Sequence, residues 1–273
     1  MARKKSKLGK FIAYIVIGIV IIICIAPIIW IVTTSFKHRE VAFAVPPALI
    51  WTPTVTNYVE LLEEGFLKFL FNSVVAAGGG TALSMILGLF AAYSFARFRI
   101  GGKNLVFWIL TLRMLPAVVL ALPLFLVARR IGMVDNCIFL ALVYTAFNLP
   151  LVIWIMRSFI SDLPREMEEA AIIDGCGLYG TIFRIVIPLV SPGIAATAIL
   201  CFILTWNELT IALVLTRFQG ATLPVQTLSF ISAKGIIWGK MTAASSIIIV
   251  PVLAFSIIVQ KHIVRGLTFG AVR

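Results

Sequence analysis

Charged residues are scarce in this sequence. Asp, Glu, Lys and Arg make up 12% of its 273 residues, whereas hydrophobic residues make up 61%. A soluble globular domain has about 25% charged residues. Because a water-soluble surface cannot be built from this composition, a cytosolic enzyme, a secreted disulfide scaffold and a disordered chain are all excluded. The composition indicates an integral membrane protein.

Cysteine and histidine are scarce as well, with four and two residues. Cys24 and Cys201 lie in apolar runs and no C-x-x-C is present, which indicates free thiols. The sequence also lacks H-E-x-x-H, G-x-S-x-G and any Ser/His or paired-Asp constellation. We therefore predict no catalytic residue and no metal site.

Six long apolar runs are present, and a membrane helix needs about 20 apolar residues. The first follows a basic stretch, but it is too long and too bulky at its end for a cleaved signal peptide. The sequence therefore predicts an all-α membrane protein with six transmembrane helices. The predicted spans are about 11–35, 71–96, 105–128, 137–159, 185–216 and 243–259.

The net charge is +12. Because Lys and Arg accumulate in cytoplasmic loops, the distribution of the basic residues indicates how the chain is oriented in the membrane. With the N-terminus inside, 14 of the 23 basic residues lie in cytoplasmic segments, 8 lie outside and Arg113 lies within a span. We predict a basic cytoplasmic N-terminus (1–10), a transmembrane domain (11–265) and a cytoplasmic tail (266–273). The basic residues are scattered over loops, which argues against nucleic-acid binding.

Small residues form a stripe on the second span. Gly80, Ser84, Gly88 and Ala92 recur every four residues, so they share one helix face. Such a stripe predicts close helix packing in a membrane. The run 78–80 is not a phosphate loop, because no G-K-[ST] follows it.

Acidic residues are concentrated in one predicted cytoplasmic loop, 161–184. Five of the 11 fall between positions 162 and 174. The pattern predicts a short helix in which Asp162 caps, Pro164 fits the first turn and Gly175 ends the helix. Helices that lie on a bilayer usually carry a basic polar face. An acidic face favours a protein partner over the bilayer surface.

The same loop resembles a known signature. Glu169-Ala170-Ala171, then Gly175, Ile185 and Pro188, is similar to the E-A-A…G…I-x-L-P motif of ABC importer permeases, with Ile187 where leucine is usual. The run EEAAIIDGCGLYGTIFRIVIPLVSPG resembles the carbohydrate-uptake, maltose-permease branch. Further resemblances lie at Trp206-Asn207-Glu208, Thr222-Leu223-Pro224-Val225, Trp238-Gly239 and the tail from Gly266.

The resemblance implies the type I ABC importer permease fold in a bacterial or archaeal cytoplasmic membrane. It implies a second permease subunit, an extracytoplasmic solute-binding protein that faces 36–70 and 217–241, and two ATPase subunits that bind ATP and Mg. It further implies that the acidic helix docks on the ATPase and that the solute is a sugar, polyol or related carbohydrate. The predicted coupling residues are Arg165, Glu166, Met167, Glu169, Ala170, Ala171, Asp174 and Gly175.

Polar groups inside the spans are candidates for the translocation path, because they are costly in a membrane. The candidates are Arg113, Asn148, Trp206, Asn207 and Glu208. Arg113 can line a cavity, pair with a partner subunit or snorkel, and Trp206 can belong to an interfacial belt. In this family the sugar site can belong mainly to the other permease subunit.

Three other classes of protein compete with this interpretation. A secondary carrier for small polar solutes relies on acids or histidines within the spans, yet His38 and His262 lie outside or at an edge. An intramembrane enzyme lacks a catalytic motif here. A channel does not need an acidic docking helix.

Overall fold

The computed structural model describes residues 7–98, 100–101, 104–233 and 235–269, with side chains from Lys10 to Ile257 outside those gaps. Arg3, Lys4 and Lys5 of the predicted basic N-terminus, and the last four residues of the predicted tail, lie outside the described residues. The same holds for Arg99, Lys103 and Lys234, which entered the charge count.

The described part of the chain is mostly helical. In chain order its α-helices are α1 (Lys7–Ser35), α2 (Arg39–Ala42), α3 (Thr56–Glu63), α4 (Phe66–Ser73), α5 (Gly79–Arg97), α6 (Leu105–Thr111), α7 (Ala117–Arg130), α8 (Cys137–Ser161), α9 (Glu166–Ile173), α10 (Leu178–Thr181), α11 (Ile187–Leu189), α12 (Ser191–Trp206), α13 (Thr210–Leu215), α14 (Leu223–Leu228) and α15 (Trp238–Phe269). π-Helical turns Val74–Gly78 and Ile182–Val186 join α4 to α5 and α10 to α11. Strands β1 (Ile231–Ser232) and β2 (Gly235–Ile236) pair antiparallel.

Four of the predicted spans are single helical stretches long and apolar enough to cross a membrane. They are Lys10–Ser35, Phe66–Arg97, Cys137–Ser161 and Trp238–Ile257. The other two are bent pairs, so the part of the chain that the structure describes has four candidate spans, or up to six if each pair is one span.

The predicted third span is not one straight helix, because Leu105–Met114 and Ala117–Arg130 meet at 89°. The break lies at Leu115 and Pro116, both in extended conformation. Proline disfavours helical backbone at the preceding residue and cannot donate a helical hydrogen bond, which accounts for this position. Pro123 lies inside α7 without ending it.

The predicted fifth span, 185–216, is also interrupted. Leu178–Leu189 and Ser191–Trp206 meet at 76°, and Pro192 opens the second helix. The chain leaves α12 at Asn207 and becomes helical again only at Thr210, where α13 begins. A hydropathy window averages over such breaks, so the sequence alone predicts one continuous span over 185–216.

By contacts the chain divides into two compact units. The first comprises the chain up to Phe66 together with Thr227–Ile249, and the second comprises Leu67–Gln226 together with the chain from Val250. In the first unit, the Asn57 amide donates to the backbone oxygens of Ser35 and Lys37 at 2.8 and 2.9 Å. The buried Lys37 ammonium donates to the Ala48 carbonyl at 2.9 Å. These contacts order the long segment after α1.

The second unit is organised around α8, which packs along α5. All four residues of the predicted stripe are buried. A Cβ on Gly80 would come within 2.8 Å of the Tyr144 Cβ, and one on Gly88 within 2.5 Å of a Val152 methyl group. The stripe prediction is therefore confirmed, because only small residues allow this approach.

Candidate functional site

The helix α9 is the predicted acidic helix, and its end is where the sequence placed it. Gly175 has a φ of +86°, and the Cys176 N–H donates to the Ala171 carbonyl at 2.9 Å, as in a Schellman motif. The predicted cap at Asp162 is wrong. Asp162 terminates α8 with helical backbone, and its N–H donates to the Ser158 carbonyl. The helix begins only after Pro164.

Most of the predicted coupling residues lie on the exposed face of α9 or at its ends. The exposed ones are Arg165, Glu166, Met167, Glu169, Ala170, Asp174 and Gly175. Ala171 is buried against the rest of the chain, so it packs α9 rather than offering surface to a partner. Ile172 and Ile173 are exposed as well, which adds apolar surface to an acidic face.

The buried face of α9 carries an ion pair that the sequence analysis did not single out. The Glu168 carboxylate accepts from Arg97 at 2.7 Å (Nε) and 2.6 Å (Nη2), and from the Tyr93 hydroxyl at 2.8 Å. The exposed fractions of the Arg97 and Glu168 side chains are 8% and 9%. Arg97 also donates to the Leu163 carbonyl at 3.1 Å. We call Tyr93, Arg97 and Glu168 the α9 clamp.

A sequence signal for the α9 clamp exists. Tyr93 and Arg97 are four apart, so they share one face at the end of α5. Glu168 and Ala171 are three apart and share the inner face of α9. Neither Arg97 nor Glu168 is among the predicted site residues. Their separation of 71 residues kept the pair from being seen.

Three of the predicted path residues meet around one cavity of about 250 Å³. Arg113, Asn148 and Glu208 all line it. The remaining lining residues are Leu115, Ala117, Tyr144, Phe147, Leu204, Thr205 and Ile211. We call this space the polar cavity.

The polar cavity lies where helices are interrupted. Arg113 lies in the 3₁₀ turn Leu112–Met114, beside the bend between α6 and α7. Glu208 lies in the gap between α12 and α13. Arg113, which was predicted to lie within the third span, lies at the break in that span. Irregular backbone at membrane depth is tolerated where it is buried in protein or lines a cavity.

Two of the three charged or amide groups are held by the chain itself. The Arg113 Nη1 donates to the Phe147 carbonyl at 2.9 Å. The Glu208 carboxylate accepts from the Tyr144 hydroxyl at 3.0 Å and from the Ile211 and Ala212 N–H groups at 2.9 and 3.2 Å. Glu208 therefore caps the start of α13. Its negative charge also interacts favourably with the positive end of the helix dipole there.

The third group, Asn148, is different. Its side chain is 2% exposed, and its amide Nδ2 has no hydrogen-bond partner among the residues that the structure describes. Leaving a buried donor unpaired costs about 1–3 kcal/mol. The Asn148 amide nitrogen is therefore an unpaired donor that the chain encloses.

The other two predicted path residues do not reach this cavity. Trp206 is 1% exposed and stacks on Phe202 with ring centroids 5.2 Å apart. The exposed Asn207 uses its amide to donate to the Ile203 carbonyl at 2.8 Å. Of the Trp-Asn-Glu run, only Glu208 lines the cavity. Trp206 packs inside the chain rather than in an interfacial belt.

The loop after α13 is held by a carboxylate that the sequence analysis missed. Asp135, at a φ of +60°, accepts from the backbone N–H groups of Arg217, Phe218, Gln219 and Gly220 at 2.7–3.1 Å. Burial by itself would raise the pKa of Asp135, but these four donors lower it below the ordinary value. We call this arrangement the Asp135 latch.

The chain is similar to permease proteins of sugar transport systems. The family model described as "Binding-protein-dependent transport system inner membrane component" matches residues 84–269. The trehalose/maltose transport system permease protein of Thermococcus litoralis is 36% identical over 267 residues, 95% of this chain and 96% of that protein. The trehalose transport system permease protein of Mycobacterium tuberculosis is 35% identical over 254 residues, 90% of this chain and 92% of that protein.

A solved structure is similar in fold. A crystal structure of a bacterial ABC transporter involved in the import of the acidic polysaccharide alginate superposes with a TM-score of 0.76. The match covers 96% of this chain and 98% of that chain, at 24% identity. The fold of this chain has therefore been observed experimentally.

Proposed function

Because the chain belongs to the family of binding-protein-dependent transport system inner membrane components, it is a sugar ABC importer permease subunit, and we propose how it couples to its partners. The solute is a sugar, polyol or related carbohydrate that an extracytoplasmic binding protein delivers. The chain is not catalytic: ATP and Mg are bound by two ATPase subunits. A second permease subunit completes the pathway.

In this proposal each bent helix pair is one broken span, so the chain crosses the cytoplasmic (inner) membrane of a bacterium or archaeon six times with both termini inside. The α9 loop then lies on the cytoplasmic side, and the Asp135 latch lies outside. The binding protein approaches the segments 36–70 and 217–241.

The observation that carries the proposal is the two-faced structure of α9. Its exposed face offers Glu166, Glu169 and Asp174 beside Met167 and Ala170. Carboxylates next to small and apolar side chains suit a cleft with basic groups. Its inner face is tied to α5 by the α9 clamp. Movement of a docked ATPase therefore reaches α5 through a short rigid element and shifts the bundle between two states.

The proposal is tested by reversing one exposed charge on α9. Glu169→Lys is expected to lower recovery of the ATPase with the complex about tenfold, because a carboxylate that pairs with basic groups becomes repulsive. Glu63→Lys is the matched control, since Glu63 is also exposed and also lies on an eight-residue helix. Its ATPase recovery is expected to equal that of wild type. Full recovery with Glu169→Lys would contradict the docking role.

Transport itself is measured in proteoliposomes that contain the complete complex, with labelled trehalose and maltose as probes. Uptake is expected only when ATP and Mg are enclosed and the binding protein is present. Uptake driven by an ion gradient without ATP would instead support a secondary carrier.

A further inference from the structure

We propose that the segment 43–51, which follows α1 and α2, lies in the boundary between the lipid headgroups and the acyl chains of the membrane. We call 43–51 the interfacial segment. The inference goes beyond the proposed function, because it assigns lipid as the partner of a part of 36–70 that lies outside the predicted spans. The charged residues of 36–70 all lie outside the interfacial segment and stay available to the binding protein.

The interfacial segment exposes large apolar side chains and carries no charge. The exposed fractions of Val45, Leu49 and Ile50 are 94%, 78% and 95%. No Asp, Glu, Lys or Arg occurs from position 41 to position 59. Clustered apolar exposure marks contact with a protein or with a membrane. The absence of charge favours the membrane, because charged side chains steer and orient protein association but are costly in lipid.

A buried lysine fixes the interfacial segment to the end of α1. The Lys37 ammonium donates to the Ala48 carbonyl at 2.9 Å and lies over the rings of Trp30 and Trp51, 4.8 and 4.5 Å from their centroids. Lys37 is 3% exposed, and cation–π contacts are stronger when they are desolvated. Trp30 precedes Ser35, the last residue of α1, by five residues, a rise of about 7.5 Å along the helix. The segment is therefore folded back toward the apolar part of α1.

A groove between α1 and the interfacial segment shows the level at which the segment lies. Its volume is about 590 Å³, and Leu49 and Ile50 line it together with Val32 and Phe36, at the end of α1. The stretch Lys10–Ser35 has a mean hydropathy of 3.3, and 0% of its most apolar window is buried within the described chain. Leu49 and Ile50 thus continue the exposed apolar surface of a membrane-spanning helix, and the same lipid covers both.

The two tryptophans support the same level. Trp is enriched at the boundary between membrane and water, where its ring is in apolar surroundings and its N–H is near water. Trp30 comes from the span and Trp51 from the interfacial segment, and both hold one cation. Apolar side chains at that level reach about 5–10 Å into the boundary between headgroups and acyl chains. Acyl chains then fill the groove. Under the proposed orientation they belong to the outer leaflet.

The test places a nitroxide label in the interfacial segment of the complete complex in lipid nanodiscs. Ile50→Cys is made in a chain whose four native cysteines are replaced by alanine. Because Ile50 is 95% exposed, the label does not disturb packing within the chain. Collisions are measured with oxygen, which concentrates in lipid, and with a nickel chelate, which stays in water. The ratio of oxygen to nickel collisions is expected to be about tenfold higher than for Glu63→Cys, because a polar chelate is excluded from an apolar layer.

Two labelled positions calibrate the ratio. Glu63→Cys, exposed on α3, represents water, and Ile22→Cys, 68% exposed on α1, represents lipid. Ile50→Cys is expected to lie between them, as a boundary position does. A ratio equal to that of Glu63→Cys would overturn the inference.

A protein partner gives a different result. If the second permease subunit or the binding protein covered the interfacial segment, the label would be shielded from oxygen and nickel alike, which would also overturn the inference. Adding the binding protein is expected to leave both collision rates at Ile50→Cys unchanged. The measurement does not use transport. Failure of ATP-driven uptake would therefore count against the proposed function and not against the lipid contact.

Discussion

The two ends of α8 hold their neighbouring loops by different chemistry. Before its first residue, Asp135 binds four backbone N–H groups of one loop. After its last residue, the α9 loop is held mainly through the Glu168, Arg97 and Tyr93 side chains, with one further hydrogen bond from Arg97 to the Leu163 carbonyl. A latch to backbone depends on one side chain, whereas a clamp between side chains depends on three.

The two loops differ in how firmly they are fixed. A backbone latch keeps the shape of a loop whatever its side chains are. A buried ion pair is geometrically demanding, and removing one partner leaves an uncompensated charge. The end that is proposed to move with the ATPase is therefore the end that substitution can disconnect most completely.

The largest loss of stability is expected from substitutions in the α9 clamp. Arg97→Met leaves Glu168 buried without its charge partner and is expected to destabilise the protein by about 3–5 kcal/mol. The double variant Arg97→Met/Glu168→Met is expected to be less destabilised than Arg97→Met alone, since it buries no unpaired charge. Thermal unfolding of the purified complex measures both. A double variant as unstable as the sum of the two single ones would show that the pair is not coupled.

A smaller effect is expected at the Asp135 latch. Asp135→Asn keeps one acceptor oxygen but loses the charge, and is expected to cost about 1–2 kcal/mol because hydrogen bonds to charged groups are the stronger kind. The latch also predicts a pH dependence. Since the folded pKa of Asp135 is lowered, its stabilisation is present above the unfolded value of about 3.9 and is lost as pH falls through the folded pKa.

Unfolding midpoints measured during acidification check this dependence. Wild type is expected to lose more stability than Asp135→Asn, because the variant has no carboxylate to protonate at that position. Parallel losses in the two proteins would show that the latch does not depend on charge.

The smallest effect is expected from the side chains of the latched loop. Phe218 is 75% exposed, and only its backbone N–H takes part in the latch. Phe218→Ala is therefore expected to change the free energy of unfolding by less than about 0.5 kcal/mol. A loss as large as that of Asp135→Asn would break the distinction between the two ends of α8.

Sequence reasoning located the features that depend on local pattern. The four uninterrupted spans follow from apolar runs, and the end of α9 follows from a glycine in a position that requires positive φ. The packing stripe on α5 follows from a four-residue period of small residues. Each of these signals is contained within one stretch of sequence.

Features that join distant residues could not be predicted in the same way. The α9 clamp and the Asp135 latch connect positions more than 70 residues apart, and no local pattern encodes their pairing. The break at Asn207–Leu209 contains no proline or glycine, so its sequence gave no breaker signal. Polarity alone selected Arg113, Asn148 and Glu208, but only the two broken helices explain why they meet.

The Asp135 latch has a consequence for how this protein can evolve. Arg217, Phe218 and Gln219 contribute backbone N–H groups to it, so mutation can change the surface chemistry of these positions without unfastening the loop. Gly220 has no such freedom, because a Cβ there would come within 2.7 Å of the Asp135 backbone. A lineage that acquires a new partner at this surface can therefore substitute the three neighbouring residues but must keep Gly220.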